Sequence, residues 1–386
     1  MTLEVVDLTH RYGDELALED VSLEVDAGEI VGLLGPSGCG KTTTVQAIAG
    51  HVNPTAGEIH LRGEDITADP PERRDVGVVF QEPTLFPHMT VAENVAYGLR
   101  PAGLAPDERA AIVDRYLELV SLSDQRGAMP AALSGGQKRR VELARALAPQ
   151  PDVLLLDEPL SALDRGLRNQ LREEIARIQR ETGVTTLYVT HDQETAMALS
   201  DRLVVMSDGQ VDGVGEPREL YESPPTPFVA SFLGRSTRLP VTPPGDPGLT
   251  LEARALAGDG GTPADTSLIC LARPSDLTLL DSERTEAGYS LAGVVDRVTD
   301  LGTRYEVVLV LDAGGELTVE TQRVQLEPGE RAHCTIDRTD LLLFEESSGR
   351  VGPACCSPER DGERLSRRYS PRTVSVPRGG RGPNRR

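Results

Sequence analysis

Residues 35–42 read GPSGCGKT, and they lie between the apolar run Ile30–Leu34 and the stretch 43–48. A short apolar run is typical of a buried strand, and the stretch that follows can form a helix. The spacing fits G-x-x-x-x-G-K-[ST], in which glycines let backbone N–H groups surround an anion. The N-terminus of the following helix adds its dipole to the same site. The stretch therefore predicts a phosphate-binding loop at a strand-to-helix turn.

Two side chains of this loop have separate predicted roles. Lys41 is expected to reach the β and γ phosphates of a nucleotide, and the Thr42 hydroxyl is expected to ligate Mg²⁺. The other loop residues expected to contact the nucleotide are Gly35, Ser37, Gly38, Cys39, Gly40 and Thr43. A chance match in a glycine-rich chain is the alternative, and the strand–helix context disfavours it.

The composition is strongly acidic. The chain has 386 residues, a length that favours two or three domains, with 61 acidic and 40 basic residues and a net charge of −21. Its lysines are Lys41 and Lys138. This balance disfavours a general nucleic-acid binder, which needs a basic surface. An acid-rich, lysine-poor surface resembles proteins of salt-loving archaea and predicts a halophilic source; the alternative is a high-GC genome that encodes arginine in place of lysine.

Targeting signals are not evident. The five cysteines show no metal-ligand spacing, and their odd number argues against a disulfide framework, which suits a reducing cytoplasm. The N-terminal residues lack a basic region followed by an apolar core, so no signal peptide is expected. No apolar stretch approaches the roughly 20 residues that span a bilayer. Any role at a membrane is therefore expected to depend on a partner.

The first 239 residues predict an α/β domain. Alternating apolar residues over 3–34 indicate a small antiparallel β layer that feeds a buried strand. Further apolar runs at 76–80, 153–156 and 185–189 alternate with helical segments, which is typical of a parallel sheet, and 82–148 reads as a helical insertion. Ligands of such sheets sit at the carboxyl ends of the strands. The polar residues at these ends are Gln81, Asp157, Glu158 and His191.

A second unit is predicted after a proline- and glycine-rich stretch at 240–247. We place the boundary at about Leu239 and expect residues 240–345 to form a small all-β barrel. The predicted strands are 249–255, 267–272, 277–280, 291–298, 305–311, 317–321, 331–336 and 341–344. Residues 346–386 carry ten arginines against four acidic residues and show no apolar periodicity. They are expected to be a disordered basic tail or a reading-frame artefact, with contact to lipid or RNA as the alternative.

The strand-end residues supply the groups that nucleotide hydrolysis needs. Asp157 is expected to hold Mg²⁺, directly or through water, since Mg²⁺ takes few protein ligands. Glu158 is placed to activate the attacking water as a general base. His191 could hydrogen-bond the γ phosphate and hold Glu158, and Gln81 could ligate Mg²⁺ or the water. A solvated helix cap is the alternative for the Asp-Glu pair, and the phosphate loop upstream disfavours it.

A second anion site is predicted at LSGGQ, residues 133–137. A serine followed by two glycines at a helix start exposes N–H groups and a hydroxyl to phosphate. The chain already has a complete phosphate loop. A second site makes sense if it faces the nucleotide bound by another copy of the chain.

Together these motifs resemble the ATP-binding subunits of ATP-binding-cassette transporters. The resemblance covers about residues 2–235 and rests on GPSGCGKT, the Gln81 loop, LSGGQ, VLLLDEP, SALD at 161–164 and His191. It implies ATP and Mg²⁺ as cofactors and stacking of the Tyr12 ring on adenine, although an isolated tyrosine more often packs. It also implies that Asp164 communicates across a homodimer. The residues that would bind the γ phosphate held by the opposing subunit are Ser134, Gly135, Gly136 and Gln137.

The β unit is similar to an accessory domain of importer ATPases. RPSD at 273–276 and the stretch 293–310 resemble the oligonucleotide/oligosaccharide-binding type found on importers of ferric iron, polyamines, sulfate, molybdate and sugars. The resemblance implies a peripheral ATPase on the cytoplasmic face of the membrane that works with a separate permease and, indirectly, an extracellular solute-binding protein. Residues 78–99 look closest to ferric-iron and polyamine systems. The alternative is a soluble cassette ATPase acting on ribosomes or nucleic acid, which usually carries two cassettes or a long coiled coil.

Overall fold

A computed structural model describes residues 2–82, 84–100, 103–161, 164–239, 268–280, 289–345 and 349–350. The predicted strand at 249–255 lies outside the described residues. So does the predicted basic tail, apart from Gly349–Arg350. Within the described residues, no helix is long and apolar enough to span a bilayer.

The chain begins with an antiparallel sheet. Its strands are β1 (Leu3–Tyr12), β2 (Glu15–Val25), β4 (Ala56–Leu61) and β5 (Glu64–Asp65), in the order β2-β1-β4-β5. Leu3, Val5 and Leu8 of β1 are fully buried, whereas residues between them are more exposed, because alternate side chains of a strand point to opposite faces. The predicted antiparallel layer is confirmed.

The central sheet carries the phosphate loop. Its strands are β3 (Ile30–Leu34), β6 (Val76–Val79), β7 (Val153–Asp157), β8 (Thr185–Thr190), β9 (Arg202–Ser207) and β10 (Gln210–Gly215), in the order β10-β9-β3-β8-β7-β6. All pairs among β3, β6, β7, β8 and β9 are parallel, and β10 is antiparallel to β9. Every residue of β3, β7 and β8 is buried, as expected for strands covered on both faces. The sheet therefore brings the carboxyl ends of β3, β6, β7 and β8 to one edge.

Helices cover this sheet and form the predicted insertion. α1 (Lys41–Ile48) follows the phosphate loop, and α5 (Arg165–Thr182) and α6 (Gln193–Leu199) follow β7 and β8. The insertion contains α2 (Val91–Ala96), α3 (Pro106–Leu119) and α4 (Gly135–Leu147), whose buried Val95, Leu117 and Leu143 share one core. Two further helices, α7 (Pro217–Glu222) and α8 (Pro227–Leu233), come after the central sheet.

The second unit consists of two antiparallel sheets around one core. The first has the strands β11 (Thr237–Leu239), β12 (Leu268–Ala272), β18 (Leu342–Glu345) and β19 (Gly349–Arg350). The second has β13 (Leu277–Leu280), β17 (Arg331–Ile336), β14 (Tyr289–Asp300), β15 (Tyr305–Leu311) and β16 (Glu316–Thr321). β13 and β16, at the two ends of the second sheet, contact each other, so this sheet is curled. The predicted α/β cassette followed by an OB-type β unit is thus confirmed.

Two short strands lie at the predicted domain boundary and at the start of the predicted tail. β11 pairs with β12, so the first strand of the β unit precedes the boundary predicted at Leu239. A three-residue strand is too short to leave an alternating pattern, and the proline-rich stretch lies after it. Gly349–Arg350, predicted as part of the tail, pairs with β18 as a short edge strand.

Candidate active site

A cavity of about 560 Å³ lies at the carboxyl edge of the central sheet and brings most of the predicted site residues together. The predicted residues that line it are Tyr12, Ser37, Gly38, Gly40, Lys41, Thr42, Thr43, Gln81, Glu158 and His191. Glu15, Leu16 and Ala17, which the sequence did not single out, complete the lining. They belong to the start of β2, where nothing in the local pattern distinguishes them from an ordinary strand.

Glycines shape the phosphate loop. A side chain at Gly35 would run into the Met206 carbonyl and lie 2.5 Å from Cys39 Sγ. Gly40 has a φ of 98°, in the left-handed region, and a side chain there would lie 2.5 Å from Leu18 Cδ2. The loop can therefore approach its neighbours because these positions lack a Cβ atom.

Two loop residues do not face the cavity as predicted. Cys39 is only 3% exposed, and its Sγ lies 3.7 Å from Lys41 Nζ beneath the loop. Gly35 also lies outside the cavity lining, at the end of β3. Lys41 Nζ donates to the Gly35 carbonyl at 2.8 Å and to the Pro36 carbonyl at 2.7 Å. The ammonium group is thus held by carbonyl oxygens of the loop itself, and its donors can be exchanged for other oxygen acceptors.

The side chains of Gln81, Glu158 and His191 form one hydrogen-bonded set. Gln81 Nε2 donates to Glu158 Oε2 at 3.1 Å, and His191 Nδ1 lies 3.0 Å from Glu158 Oε1. These residues follow three neighbouring strands, β6, β7 and β8, which explains why they meet at one edge. The prediction that His191 could hold Glu158 agrees with this contact.

The backbone of Glu158 is strained. Its φ is 43°, in the left-handed region that non-glycine residues rarely adopt, and its N–H donates to the Val189 carbonyl at 2.9 Å. Such strain costs about 1–3 kcal/mol and persists where surrounding structure enforces it, commonly at active sites. The chain therefore turns sharply after Asp157, which separates the environments of the two neighbouring carboxylates.

Asp157 has the environment of a cation ligand. It is 5% exposed, and its Oδ1 accepts no hydrogen bond from any described residue. Burial, reinforced by the charge of Glu158, raises the pKa of Asp157, against the opposing charges of Lys41 and Arg139. The described residues contain no cluster of three or more His, Cys, Asp or Glu side chains that could hold a metal. Asp157 does not itself line the cavity, which holds Thr42 and Gln81. A lone buried carboxylate suits Mg²⁺, which keeps waters and substrate phosphates as ligands.

Tyr12 provides an aromatic surface at the cavity. It is the last residue of β1 rather than part of the following loop, and it is 49% exposed. Its hydroxyl donates to Gln46 Oε1 at 3.4 Å, and its ring meets the His10 ring edge-on with centroids 4.6 Å apart. The exposed ring is available for stacking on a planar ligand.

The LSGGQ stretch lies away from this cavity. Ser134 caps α4: its Oγ accepts from the Gln137 N–H at 3.3 Å, and its N–H donates to Gln137 Oε1 at 2.9 Å. Ser134 and Gly135 are exposed, while Gly136 packs against Leu167 of α5. None of these four residues lines the cavity. One chain therefore does not bring its own phosphate loop and LSGGQ stretch to the same site.

Asp164 is the N-cap of α5. Its Oδ1 accepts from the Gly166 N–H at 3.0 Å and from the Leu167 N–H at 3.1 Å. Ser161, at the other end of SALD, donates through Oγ to the Glu158 carbonyl at 3.1 Å. The two middle residues of SALD lie outside the described residues. The stretch thus connects the strained Glu158 turn to the start of α5.

Comparison with known proteins agrees with this arrangement. A model described as ABC transporter matches residues 18–161, and one described as TOBE domain matches residues 271–344. The spermidine/putrescine import ATP-binding protein PotA of Thermobifida fusca is 43% identical, with 90% of this chain and 86% of that protein covered. The chain belongs to the ABC transporter family. The predicted ABC-type ATPase is thereby confirmed.

Other ABC relatives also match most of this chain. The sulfate/thiosulfate import ATP-binding protein CysA of Gloeobacter violaceus is 42% identical, covering 87% of this chain and 94% of that protein. The Fe(3+) ions import ATP-binding protein FbpC of Rhizobium etli is 43% identical, covering 78% and 86%. These relatives favour the predicted importer over a soluble ATPase of ribosomes or nucleic acid. A solved structure, cbiO1 from Clostridium perfringens, matches 57% of this chain and 90% of its own, with a TM-score of 0.53 and 31% identity. It is described as part of the ABC transporter complex cbiONQ.

One buried residue near the ABC site was missed by sequence reasoning. Arg139 is 4% exposed and contacts the backbone beside both Gln81 and Glu158. Its neighbours in the sequence are Lys138 and Arg140, so it looked like one of several solvated basic residues on a helix. A charged residue that is almost fully buried needs partners, and only the fold shows what they are.

Proposed function

We propose that two copies of this chain enclose two ATP molecules and hydrolyse them to drive solute import through a separate membrane permease. One observation carries the proposal. A single cavity holds the phosphate loop, an exposed tyrosine and the set Gln81, Glu158 and His191, while the LSGGQ stretch, with Ser134 and Gly135 exposed, lies elsewhere on the same chain. A site with its γ-phosphate donors on another copy accounts for both facts.

The nucleotide would lie along the cavity. The Tyr12 ring stacks on the adenine, and the backbone N–H groups of residues 37–42 and the N-terminus of α1 hold the phosphates. Lys41 exchanges the Gly35 and Pro36 carbonyls for phosphate oxygens. Because the loop already holds the ammonium close to the phosphate position, little reorganisation is needed on binding.

Mg²⁺ would be held by Thr42, Gln81 and Asp157. The unpaired Oδ1 of Asp157 supports this assignment, since a buried carboxylate is stabilised by a cation beside it. When bound, Mg²⁺ neutralises charge that develops on the phosphate oxygens. Gln81 contacts Glu158 directly, so the same amide can connect the metal site with the general base.

Hydrolysis would depend on Glu158. Its carboxylate takes a proton from the attacking water, while Gln81 and His191 fix its orientation through their hydrogen bonds. His191 is more exposed than Glu158, with 53% against 17% of the side chain accessible, so its ring can also face the γ phosphate. The chemistry is positioning and electrostatic stabilisation, with no covalent intermediate.

The partner copy would complete the site. Ser134, Gly135, Gly136 and Gln137 present a hydroxyl and backbone N–H groups at the N-terminus of a 13-residue helix, which favours an anion. They would bind the γ phosphate held by the other chain. Asp164, at the start of α5 and joined to the Glu158 turn through SALD, would report closure across the dimer.

A groove next to the Gln81 loop is the proposed permease contact. It has a volume of about 440 Å³ and is lined by aromatic and proline side chains, including Phe80, Phe86, Tyr97, Pro149 and Pro151. Phe80, Phe86 and Tyr97 lie at the Gln81 loop and in the 83–99 segment, whereas Pro149 and Pro151 follow α4, and the apolar character of the groove suits a protein segment. The chain would then work on the cytoplasmic face of the membrane, with an extracellular solute-binding protein acting through the permease.

The solute is proposed to be a polyamine or ferric iron. The resemblance of residues 78–99 to such systems supports this choice, and so do the names of PotA and FbpC. A permease complex of this chain should hydrolyse ATP faster when the matching loaded binding protein is added.

The Glu158→Gln variant tests the hydrolysis step. Glutamine keeps the size and can still hydrogen-bond, but it cannot accept a proton, so turnover should fall by about a hundredfold or more. Mg-ATP binding should be retained, because Glu158 is not a phosphate ligand in this scheme. The measurements are phosphate release and nucleotide binding by fluorescence or calorimetry.

Glu194→Gln is the matched control for this experiment. Glu194 is an exposed carboxylate in the first turn of α6, three residues after His191, and it does not line the cavity. The control should retain wild-type turnover. Normal turnover in Glu158→Gln, or an equal loss in Glu194→Gln, would rule out Glu158 as the base.

A further inference from the structure

One face of α4 holds the segments that carry Gln81 and Glu158. Arg139, Glu142 and Arg145 follow one another at intervals of three residues, so their side chains lie on one side of the helix. Arg139 is 4% exposed and Glu142 is 1% exposed, and they form an ion pair with Nη1 and Oε2 separated by 2.9 Å. The desolvation penalty of a buried ion pair can exceed its electrostatic gain, so its contribution to stability seldom explains its presence.

Arg139 joins two backbone positions beside the reactive side chains. Its Nε donates to the Pro159 carbonyl at 2.8 Å, directly after Glu158. Its Nη1 donates to the Phe80 carbonyl at 2.5 Å, directly before Gln81. One planar guanidinium therefore sets the spacing of the two segments whose side chains meet at the Gln81–Glu158 hydrogen bond.

Glu142 and Arg145 continue this contact along the Gln81 loop. Glu142 accepts a hydrogen bond from the Thr84 N–H. Arg145 donates to the Thr84 carbonyl at 2.8 Å and to Thr84 Oγ1 at 2.7 Å. The loop from residue 80 to Thr84 is thus attached at both ends to α4, whose first residues belong to LSGGQ.

We propose that Arg139, held by Glu142, is a positioning residue that couples the LSGGQ end of α4 to the hydrolytic pair Gln81 and Glu158. α4 is a continuous helix, so a shift of its N-terminus against the partner's ATP moves Arg139 as part of one rigid element. The two carbonyls move with it, and the Gln81–Glu158 geometry changes. This inference rests on the proposed function, because it assumes that LSGGQ meets the ATP bound by a second copy.

The coupling is expected to affect turnover and not ATP binding. Arg139 does not line the nucleotide cavity. Removing it leaves the phosphate loop and Tyr12 in place, while Gln81 and Glu158 lose a shared support. Small displacements of reacting groups reduce the rate steeply, whereas ground-state affinity changes little.

The test compares two double variants of the full-length chain. Arg139→Gln/Glu142→Gln removes both buried charges, so that neither is left unpaired. Arg140→Gln/Glu174→Gln removes a second Arg–Glu ion pair, which joins the neighbouring position of α4 to α5, with Nε and Oε2 2.7 Å apart. Both variants are measured for melting temperature, Mg-ATP affinity, kcat and KM.

The first variant should lose about tenfold or more in kcat and keep its Mg-ATP affinity within about twofold. The control should keep kcat within about twofold even where its melting temperature falls. Arg139→Lys keeps the charge but replaces the planar guanidinium with a compact ammonium, which cannot reach both carbonyls in the same geometry. Its kcat should therefore also fall below the wild-type value.

Two results would overturn the inference. One is a wild-type kcat in Arg139→Gln/Glu142→Gln, and the other is an equal kcat loss in the two double variants, which would reduce the effect to helix stability. Failure of the proposed function would look different, because the wild-type chain itself would then show no ATP hydrolysis or no Mg-ATP-dependent pairing of two copies.

Discussion

Asp157 and Glu158 are neighbours in the sequence with different environments. Asp157 is the last residue of β7 and is buried without a hydrogen bond to its Oδ1. Glu158 follows in a left-handed conformation and has two side-chain partners. The backbone turn between them therefore separates the proposed metal ligand from the proposed general base. This division of roles would explain why the site tolerates a strained residue.

The Asp157→Asn variant should be more stable than the wild type in the absence of nucleotide, yet inactive. The raised pKa of Asp157 means that its ionised form is unfavourable in the folded state. The neutral amide removes that charge, so the free energy of unfolding should rise by about 1 kcal/mol at pH 7.5. Hydrolysis should fall by about a hundredfold or more, because the proposed Mg²⁺ ligand is lost.

The pH dependence provides the check on this variant. The folded chain binds the Asp157 proton more tightly than the unfolded chain, so Asp157 costs stability increasingly as the pH rises from the ordinary aspartate value of 3.8 through the raised pKa. The stability difference between variant and wild type should therefore grow as the pH rises above about 4 and level off above the raised pKa of Asp157. Denaturant unfolding at several pH values measures it. A difference that shrinks with rising pH would contradict the assignment.

At the residue scale, the sequence predicted which site residues lie at strand ends, but it did not predict which residue of a helix face is buried beside the site. Gln81, Glu158 and His191 could be predicted to meet, because parallel strands bring their carboxyl ends to one edge. Cys39 was predicted to contact the nucleotide because it lies within the motif, yet its side chain packs beneath the loop. Arg139 was missed because burial of one arginine in a basic row depends on what packs against that helix face.

At the scale of elements, the phosphate loop is shaped by close backbone contacts. Gly35 lies against the Met206 carbonyl of β9, and Gly40 lies 2.7 Å, measured from its hypothetical Cβ, from the Ala17 carbonyl of β2. The loop therefore packs directly against backbone atoms of both the central sheet and the antiparallel sheet. Its position depends on the absence of side chains at these glycines, as well as on the motif's need for exposed N–H groups.

Gly35→Ala should displace the loop. The added methyl group meets backbone and a buried sulfur, so the variant should lose about 2 kcal/mol of unfolding free energy. Mg-ATP affinity should fall about tenfold, the equivalent of about 1.4 kcal/mol. Calorimetry and nucleotide titration provide these values.

Gly127→Ala is the control for Gly35→Ala. A Cβ atom at Gly127 meets no atom within 4 Å, and its φ lies outside the left-handed region. Its stability should change by less than about 0.5 kcal/mol, with ATP binding unchanged. If Gly35→Ala behaved like this control, the loop would not be packed as described.

Elements with continuous apolar character were predictable and short edge strands were not. β3, β7 and β8 agree with their predicted bounds to within one residue, because every residue of each strand is buried. β11 was missed because only Leu239 of its three residues is buried. Such a strand is defined by its pairing with β12, which lies about thirty residues later in the sequence.

At the scale of the whole molecule, the β unit is attached to the end of the cassette. The Arg273 guanidinium lies 3.6 Å from the centre of the Tyr221 ring and donates to the Tyr221 carbonyl. Ala230 of α8 packs with Leu271 and Phe344 of the β unit. The RPSD stretch, which suggested an accessory domain, thus also supplies the side chain that attaches it.

The halophilic source suggested by the acidic composition stays a prediction.

The central claim is that each phosphate loop is completed by the LSGGQ stretch of a second copy, and cross-linking tests it most directly. Two chains are prepared with Glu158→Gln and with Cys355 and Cys356 replaced by serine, one carrying Ser37→Cys and the other Ser134→Cys. Both serines are exposed. The remaining cysteines are buried, and burial raises the pKa of Cys270 and Cys334 to about 12, so they should react slowly.

The two chains are mixed and treated with a short bifunctional thiol reagent, with Ser223→Cys, another exposed position, replacing Ser134→Cys in the control. The proposal predicts an Mg-ATP-dependent product that joins one chain of each kind and is absent from the control. Saturating Mg-ATP binding without that product, or equal cross-linking in the control, would contradict the shared site.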